Sequence, residues 1–470
     1  MTADLIDVGP DIAIVGGGAC GVMTALRAAQ NPDLVVAVFE KSTREGCNAA
    51  ISSGSLPAGG TRFQRLAGID DSPQKHAEEI LAASGDEEWR PIVEALCAVA
   101  PAMVEWIADT GYPIEVGTDM PRAGMSVPRL HTDVGRQGGG RLMRHLRGLL
   151  GSYPNVAFVD EAPIVGLVMD AGVVSGVVVN QNGRRQRIGA GAIMLAVDGF
   201  ANNPALVREY LGDLGNPYYG GVSTSTGDAL TWVQRLGGRV RNMGAGLRSG
   251  LVVVDHGTRV SPALPFHGAV LVNANGQRFV DEERHGYSAM AGILQGQPGE
   301  RAAMIFDATA LAATRESEMM RECLAARAIR EVATLAELAA LLRLDVEQAR
   351  EAVTARPGRR QLRQPFYLAW VTHGLLTTQG GVVIDAQGRV LDSADRPIPH
   401  LYAGGGTACG LAGPSSDGYL SGNGLLSAFG LGWIVGNALA SGPVGRFAPP
   451  VRAADQPRRS ATAFSKERHR

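Results

Sequence analysis

The chain opens on two short apolar runs separated by a glycine-rich turn. Residues 11–15 (DIAIV) read as a buried strand and Gly16-Gly17-Gly18-Ala19-Cys20-Gly21 as the turn. Residues 22–30 read as a helix, and 34–39 (LVVAVF) as a second strand ending at Glu40. Apolar residues then recur at helical spacing over 74–84, 92–110 and 141–150. Over 156–188 the period changes. Short β-rich pieces alternate with turns, as in a small antiparallel meander, and Gln181-Asn182-Gly183 has the composition of a tight hairpin turn. A buried strand at 192–197 (AIMLAV) returns to the main sheet.

From 238 to 365 the text differs. Irregular sequence with His and Pro gives way to a helical run over 300–355, with helix starts at Thr334 with Glu337 and at Asp345 with Gln348. Sheet-like sequence resumes at 380–384, and a last helix is predicted over 424–439. The pattern divides the chain into a first sheet-forming piece (1–237), an inserted domain (238–365), a returning piece (366–440) and a Pro- and Arg-rich tail (441–470) expected to be disordered.

Composition narrows the function classes. The 470 residues carry a formal net charge of -2, so no basic face for nucleic acid is implied and a small-molecule partner is expected. The five cysteines (Cys20, Cys47, Cys97, Cys323, Cys409) lack the spacing of a disulfide framework, a zinc site, a haem attachment or an iron–sulfur cluster. No metal site is expected. With no signal-like start and no long uninterrupted apolar run, a reduced, cytoplasmic protein without a membrane span is expected.

The chemistry starts at the first turn. Gly16-x-Gly18-x-x-Gly21 follows a strand, opens a helix, and has Glu40 at the end of the next strand. In that setting it is a dinucleotide fingerprint. Gly16 makes the tight turn, Gly18 lets backbone approach a pyrophosphate on the helix N-terminus, and Gly21 allows close helix–strand packing. Glu40 can accept hydrogen bonds from ribose hydroxyls. The polar, glycine-dotted stretch after it, from Lys41 and Ser42 to Ser55, suits a flat ring lying against backbone amides.

These motifs, together with RLHTDVGRQGGGRLM, AIMLAVDGF, STGDAL, NGQRFVDEE, TTQGGVVID, LYAGGGTACG and GYLSGNGLLSAFG, resemble the flavoprotein family of fumarate reductase, succinate dehydrogenase and 3-ketosteroid dehydrogenases over residues 11–440. The resemblance implies an α/β fold: a Rossmann-like FAD-binding domain in two sequence pieces with an inserted α+β capping domain that covers the substrate. It implies noncovalent FAD, since no histidine stands out for covalent attachment. Gly16, Gly18, Gly21, Glu40, Lys41, Ser42, Asn48, Ser52, Asp228, Gly405, Asn423 and Leu425 fall on its FAD positions. Ala19, Cys20, Cys47, Ala49, Ser53, Gly54, Gly380, Gly424 and Leu426 flank them in the same motifs. Two departures stand out. The family's ATGG is here Ala196-Val197-Asp198-Gly199, and the glutamate after its LYAAG is here Gly406.

Within that family, the arginines and histidine that handle a dicarboxylate are replaced by Leu311, Thr377 and Tyr419. Tyrosines instead match the ketosteroid and cyclic-ketone enzymes: Tyr419 before the last glycine-rich turn, and Tyr287 after NGQRFVDEE with a one-residue slip. The expected reaction is FAD-dependent desaturation of the carbon pair α,β to a carbonyl, on a cyclic ketone or keto acid. Tyr419, with a backbone N–H from the Gly422 turn, would hold the carbonyl, and Tyr287 would take the α-proton, relayed by His285. His373, Thr377 and Arg248 are further substrate-side candidates. The alternatives are a reductase of an activated C=C, the same half-reaction reversed, and an electron-relay flavoprotein subunit. The electron acceptor is not legible.

Overall fold

The computed structural model describes residues 5–6, 9–118, 122–354 and 360–442. All but the first two residues of the tail expected to be disordered lie outside the described residues.

The first strand, β1 (Ile12–Val15), is buried at all four positions. Burial on both faces is what an uninterrupted apolar run demands, and it suits a parallel sheet covered by helices. α1 (Ala19–Ala28) follows directly, and no side chain caps its first turn. Its leading N–H groups are therefore left for a ligand. β2 (Val36–Phe39) pairs in parallel with β1, Ile12 opposite Val36. Three long helices follow, after a short helical turn at Arg62–Leu66: α2 (Pro73–Ser84), α3 (Arg90–Asp109) and α4 (Gly138–Leu150). β3 (Val156–Val159) extends the parallel sheet beside β2.

The meander is β4 (Ile164–Asp170), β5 (Val173–Gln181) and β6 (Arg184–Gly189). Asn182 and Gly183 both take positive φ, 52° and 77°, the hairpin geometry that matches strand twist. β7 (Ala192–Leu195) then enters the main sheet beside β1.

A second sheet covers the first unit. It holds β8 (Gly246–Val253), β9 (Val270–Asn273), α5 (Tyr287–Gln295) packed on it, β10 (Arg301–Asp307) and the long β11 (Phe366–Thr378). β11 is its axis, pairing along its length with β8, β10, Tyr218–Tyr219 and Arg330–Val332. The chain returns through β12 (Arg389–Leu391) and β13 (Pro397–Ala403), which complete the main sheet in the order β12-β13-β7-β1-β2-β3. The last helix is α6 (Asn423–Ser441).

Several sequence expectations are corrected. Residues 301–307 were expected to be helical, but a buried apolar run (RAAMIFD) reads either way and here becomes a strand. Residues 366–378, expected in the returning piece, form the centre of the covering sheet. Gly381–Val382 pairs with Val240–Arg241 rather than with the main sheet, and Val156–Val159 joins the main sheet rather than the meander. Asp345 and Gln348 cap their helix reciprocally. At Thr334 only the side chain caps, because Glu337 turns to the Ala333 N–H. Two helices, Glu87–Asp109 and Asn423–Ser441, are long and apolar enough to cross a membrane by length and composition alone. In this fold α3 packs against α2 and α6, and α6 against α1.

α1 and α6 pack backbone against backbone. A Cβ on Gly432 would stand 2.6 Å from the Cys20 carbonyl oxygen, and one on Gly436 2.7 Å from that of Thr24. Arg27 locks the pair: its guanidinium lies 4.1 Å over the Trp433 ring, and its Nε donates to Asn437 Oδ1 at 3.0 Å. Gly432→Ala therefore forces backbone from backbone and is expected to cost about 1–3 kcal/mol of stability. Denaturant unfolding reads this, and an unchanged midpoint would contradict it.

Candidate active site

The carboxyl ends of β1, β2, β7 and β13 share one edge of the main sheet, the edge at which parallel α/β sheets bind ligands. Beyond them lies a cavity with about 1250 Å³ of unfilled space. Of the expected cofactor residues, Gly16, Gly18, Ala19, Cys20, Glu40, Lys41, Cys47, Asn48, Ala49, Ser52, Asp228, Gly405, Gly424 and Leu425 line it. The two sequence pieces thus meet on one space.

Glu40 closes the fingerprint turn. Its Oε2 accepts the Gly17 N–H at 2.6 Å and its Oε1 the Ser42 N–H at 2.9 Å. Lys41 pairs with Asp228 at 3.1 Å. Asn48 accepts the Val222 N–H at 3.0 Å, which ties the segment after β2 to the loop before Asp228.

Other predicted residues support from behind. Gly21, Ser42, Ser53, Gly54, Gly380, Gly422, Asn423 and Leu426 do not line the cavity. Gly21 packs against the Gly16 carbonyl and the Ile14 side chain. Gly54 packs against Gly138 and Gly139 with φ 68°, and Gly422 holds φ 86° as the N-cap of α6. Missed by sequence reasoning were Asp198, Thr378, Gln379, Gly406 and Ser427, which all line the cavity. The broken ATGG motif was the available signal for Asp198.

The residues present fit a bulky polar cofactor. Asn423 is fully buried, yet neither side-chain oxygen nor nitrogen has a protein partner, and the Ser427 hydroxyl one turn on is likewise orphaned. Buried polar groups are almost always paired, so the Ser427 hydroxyl, which lines the cavity, awaits a ligand. With the open first turn of α1, it supplies contacts from both ends of the chain.

A second, smaller cavity of about 500 Å³ adjoins it under the covering sheet. Tyr419 lines both, and Tyr287, His285, Arg122, Glu282 and Ser421 line the second. The Tyr287 and Tyr419 rings meet edge to face, centroids 6.2 Å apart. Tyr419 Oη accepts the Gly424 N–H at 3.0 Å. Burial pushes the Tyr287 phenol up, while the charges of Arg259 and Arg122 and the neighbouring hydroxyls of Tyr419 and Ser421 pull it down. Burial, reinforced by Tyr287, holds the Tyr419 phenol well above its usual range.

Thr377 lines the larger cavity. Arg248 and His373 line neither. They bond each other at 3.3 Å, His373 reaches Glu300 at 3.1 Å and Arg248 reaches Gln295 at 2.8 Å, a buried cluster behind β11. They were expected near the substrate because of residue type, but alternation on β8 and β11 turns them toward α5.

Comparison with known proteins decides the family. The model described as "FAD binding domain" matches residues 11–425. The chain belongs to the FAD-binding domain family. FAD is its cofactor, and it is an FAD-dependent oxidoreductase related to fumarate reductases and 3-ketosteroid dehydrogenases. It is 26% identical over 450 residues to the NADH:fumarate oxidoreductase of Klebsiella pneumoniae, covering 92% of this chain but 47% of that one. It is 28% identical over 461 residues to the fumarate reductase (cytochrome) of Shewanella frigidimarina, covering 92% of this chain and 77% of that one. The fold is also that of 3-ketosteroid-delta4-(5alpha)-dehydrogenase from Rhodococcus jostii, with TM-score 0.73 and 23% identity, covering 93% of this chain and 98% of that one.

Because the Ser427 hydroxyl lines the cavity and has no protein partner, Ser427→Ala should leave the melting midpoint of FAD-free protein unchanged or higher. It should weaken FAD binding about two- to tenfold, the worth of one or two neutral hydrogen bonds. Flavin fluorescence titration measures this, and unaltered affinity would contradict the assignment.

Proposed function

We propose that the protein is a dehydrogenase that desaturates the carbon pair α,β to a carbonyl, on a cyclic ketone or keto acid. The observation that carries this reading is the pair of phenols in one cavity, Tyr419 fixed by the Gly424 N–H and Tyr287 edge to face against it.

The positions of the two phenols assign their roles. Tyr419, anchored by the Gly424 N–H on the wall shared by both cavities, keeps its proton and donates it to the substrate carbonyl, stabilising charge as it builds on oxygen. Tyr287 takes the α-proton, and His285 in the same cavity passes it on. Bound FAD supplies the hydride acceptor. The apolar walls, Leu251, Phe266, Leu271, Met290 and Met304, suit a hydrocarbon ring and exclude water.

Leu311, Thr377 and Tyr419 at the positions of the dicarboxylate-handling side chains favour this over reduction of fumarate. The names of the relatives favour the second reading, a reductase of an activated C=C running the same steps in reverse. The electron acceptor is proposed to be external to the chain.

Substrate α-hydrogens should exchange with D₂O in the presence of the enzyme, followed by NMR on a saturated cyclic ketone or keto acid. Exchange should fall about 10²- to 10⁴-fold in Tyr287→Phe. Since burial dominates and raises the Tyr287 phenol, the base form grows as pH rises, so exchange should climb through the alkaline range. A pH-independent rate, or a rate that survives in Tyr287→Phe, would remove Tyr287 as the base.

A further inference from the structure

The two departures from the family motif, Asp198 and Gly406, are one structural event. β7 and β13 pair in parallel with Leu195 opposite Ala403, and Asp198 and Gly406 stand three residues beyond that pair. They occupy neighbouring positions past the ends of adjacent strands, and both line the large cavity. A Cβ on Gly406 would overlap Asp198 Oδ1 and approach the Gly199 nitrogen at 3.0 Å. The two positions thus share one side-chain volume, and here Asp198 fills it.

Asp198 is held there deliberately. Its backbone has φ 67°, a conformation that aspartate tolerates better than most residues. Its Oδ2 accepts hydrogen bonds from the Asn48 side chain and the Ser225 hydroxyl. Its neighbours Val197 and Gly406 line the same cavity, and Thr407 secures the turn by accepting the Val197 N–H at 2.9 Å. The next strand along ends in the pyrophosphate turn, with Val15 opposite Leu195. A carboxylate beside a pyrophosphate is repelled by it unless a donor lies between them. The hydroxyl-bearing linker of a flavin dinucleotide provides such donors.

We propose that Asp198 is a cofactor-binding residue that accepts a hydrogen bond from a ribityl hydroxyl of FAD, and that it does so from β7 in place of a side chain on position 406. A single acid serves the site, and which strand carries it is interchangeable.

Titrating the full-length apoprotein with FAD, followed by flavin fluorescence, tests this. Asp198→Ala should weaken binding about 10- to 100-fold, as loss of a charge-assisted hydrogen bond does. The parent should bind an FAD analogue without ribityl hydroxyls as weakly as Asp198→Ala binds FAD, and Asp198→Ala should not distinguish the two. Gly406→Glu alone should abolish tight binding, and joined with Asp198→Gly it should restore affinity toward the parent. Undiminished FAD affinity in Asp198→Ala would overturn the proposal. So would discrimination between FAD and the analogue retained in Asp198→Ala, because Asp198 would then only brace Asn48 and Ser225.

Discussion

The approach of the first helix to the last governs the rest of the structure. α1 and α6 are separated by nearly the whole chain, and glycines at 432 and 436 let their backbones touch at Cys20 and Thr24. That contact brings the open first turn of α1 and the start of α6 onto one cavity. One end is set to receive a pyrophosphate, and the other offers the unpartnered Ser427 hydroxyl. Neither half holds a complete cofactor site, so the site is a product of tertiary packing. Glu40 then fixes the fingerprint turn itself, by accepting the Gly17 N–H.

The reacting side chains depend on a second junction. Tyr287 begins α5 on the covering sheet, whereas Tyr419 sits in the loop before α6. Their rings meet only where sheet and base close on each other. The smaller cavity takes its walls from both, and the acid–base pair is assembled by the same contact that excludes water. β11, paired with four other strands, is what makes the covering sheet stiff enough to hold that geometry.

Much of this was legible in the sequence, for definite reasons. The strand–GxGxxG–helix–strand–Glu40 pattern is local, so the fingerprint residues were readable and all but Gly21 and Ser42 reach the cavity or its rim. Tyr287, Tyr419 and His285 were named from motif position, and they share one cavity. Where the reading failed, the information was not local. RAAMIFD has the composition of either element, and only its pairing with β9 and β11 decides it. Arg248 and His373 were chosen by residue type, and strand alternation turned them away. Asp198 was seen only as a broken motif, because its role depends on Gly406, a position remote in sequence and adjacent only across two paired strands.

The most direct test of the account is anaerobic titration of the FAD-loaded protein with saturated cyclic ketones and keto acids, watching the flavin absorbance. The account predicts bleaching by a member of that class, and its loss in Tyr419→Phe. Flavin left oxidised by every such compound, with chemically reduced protein reoxidised by fumarate or an enone, would contradict the dehydrogenase reading and assign the site to reduction.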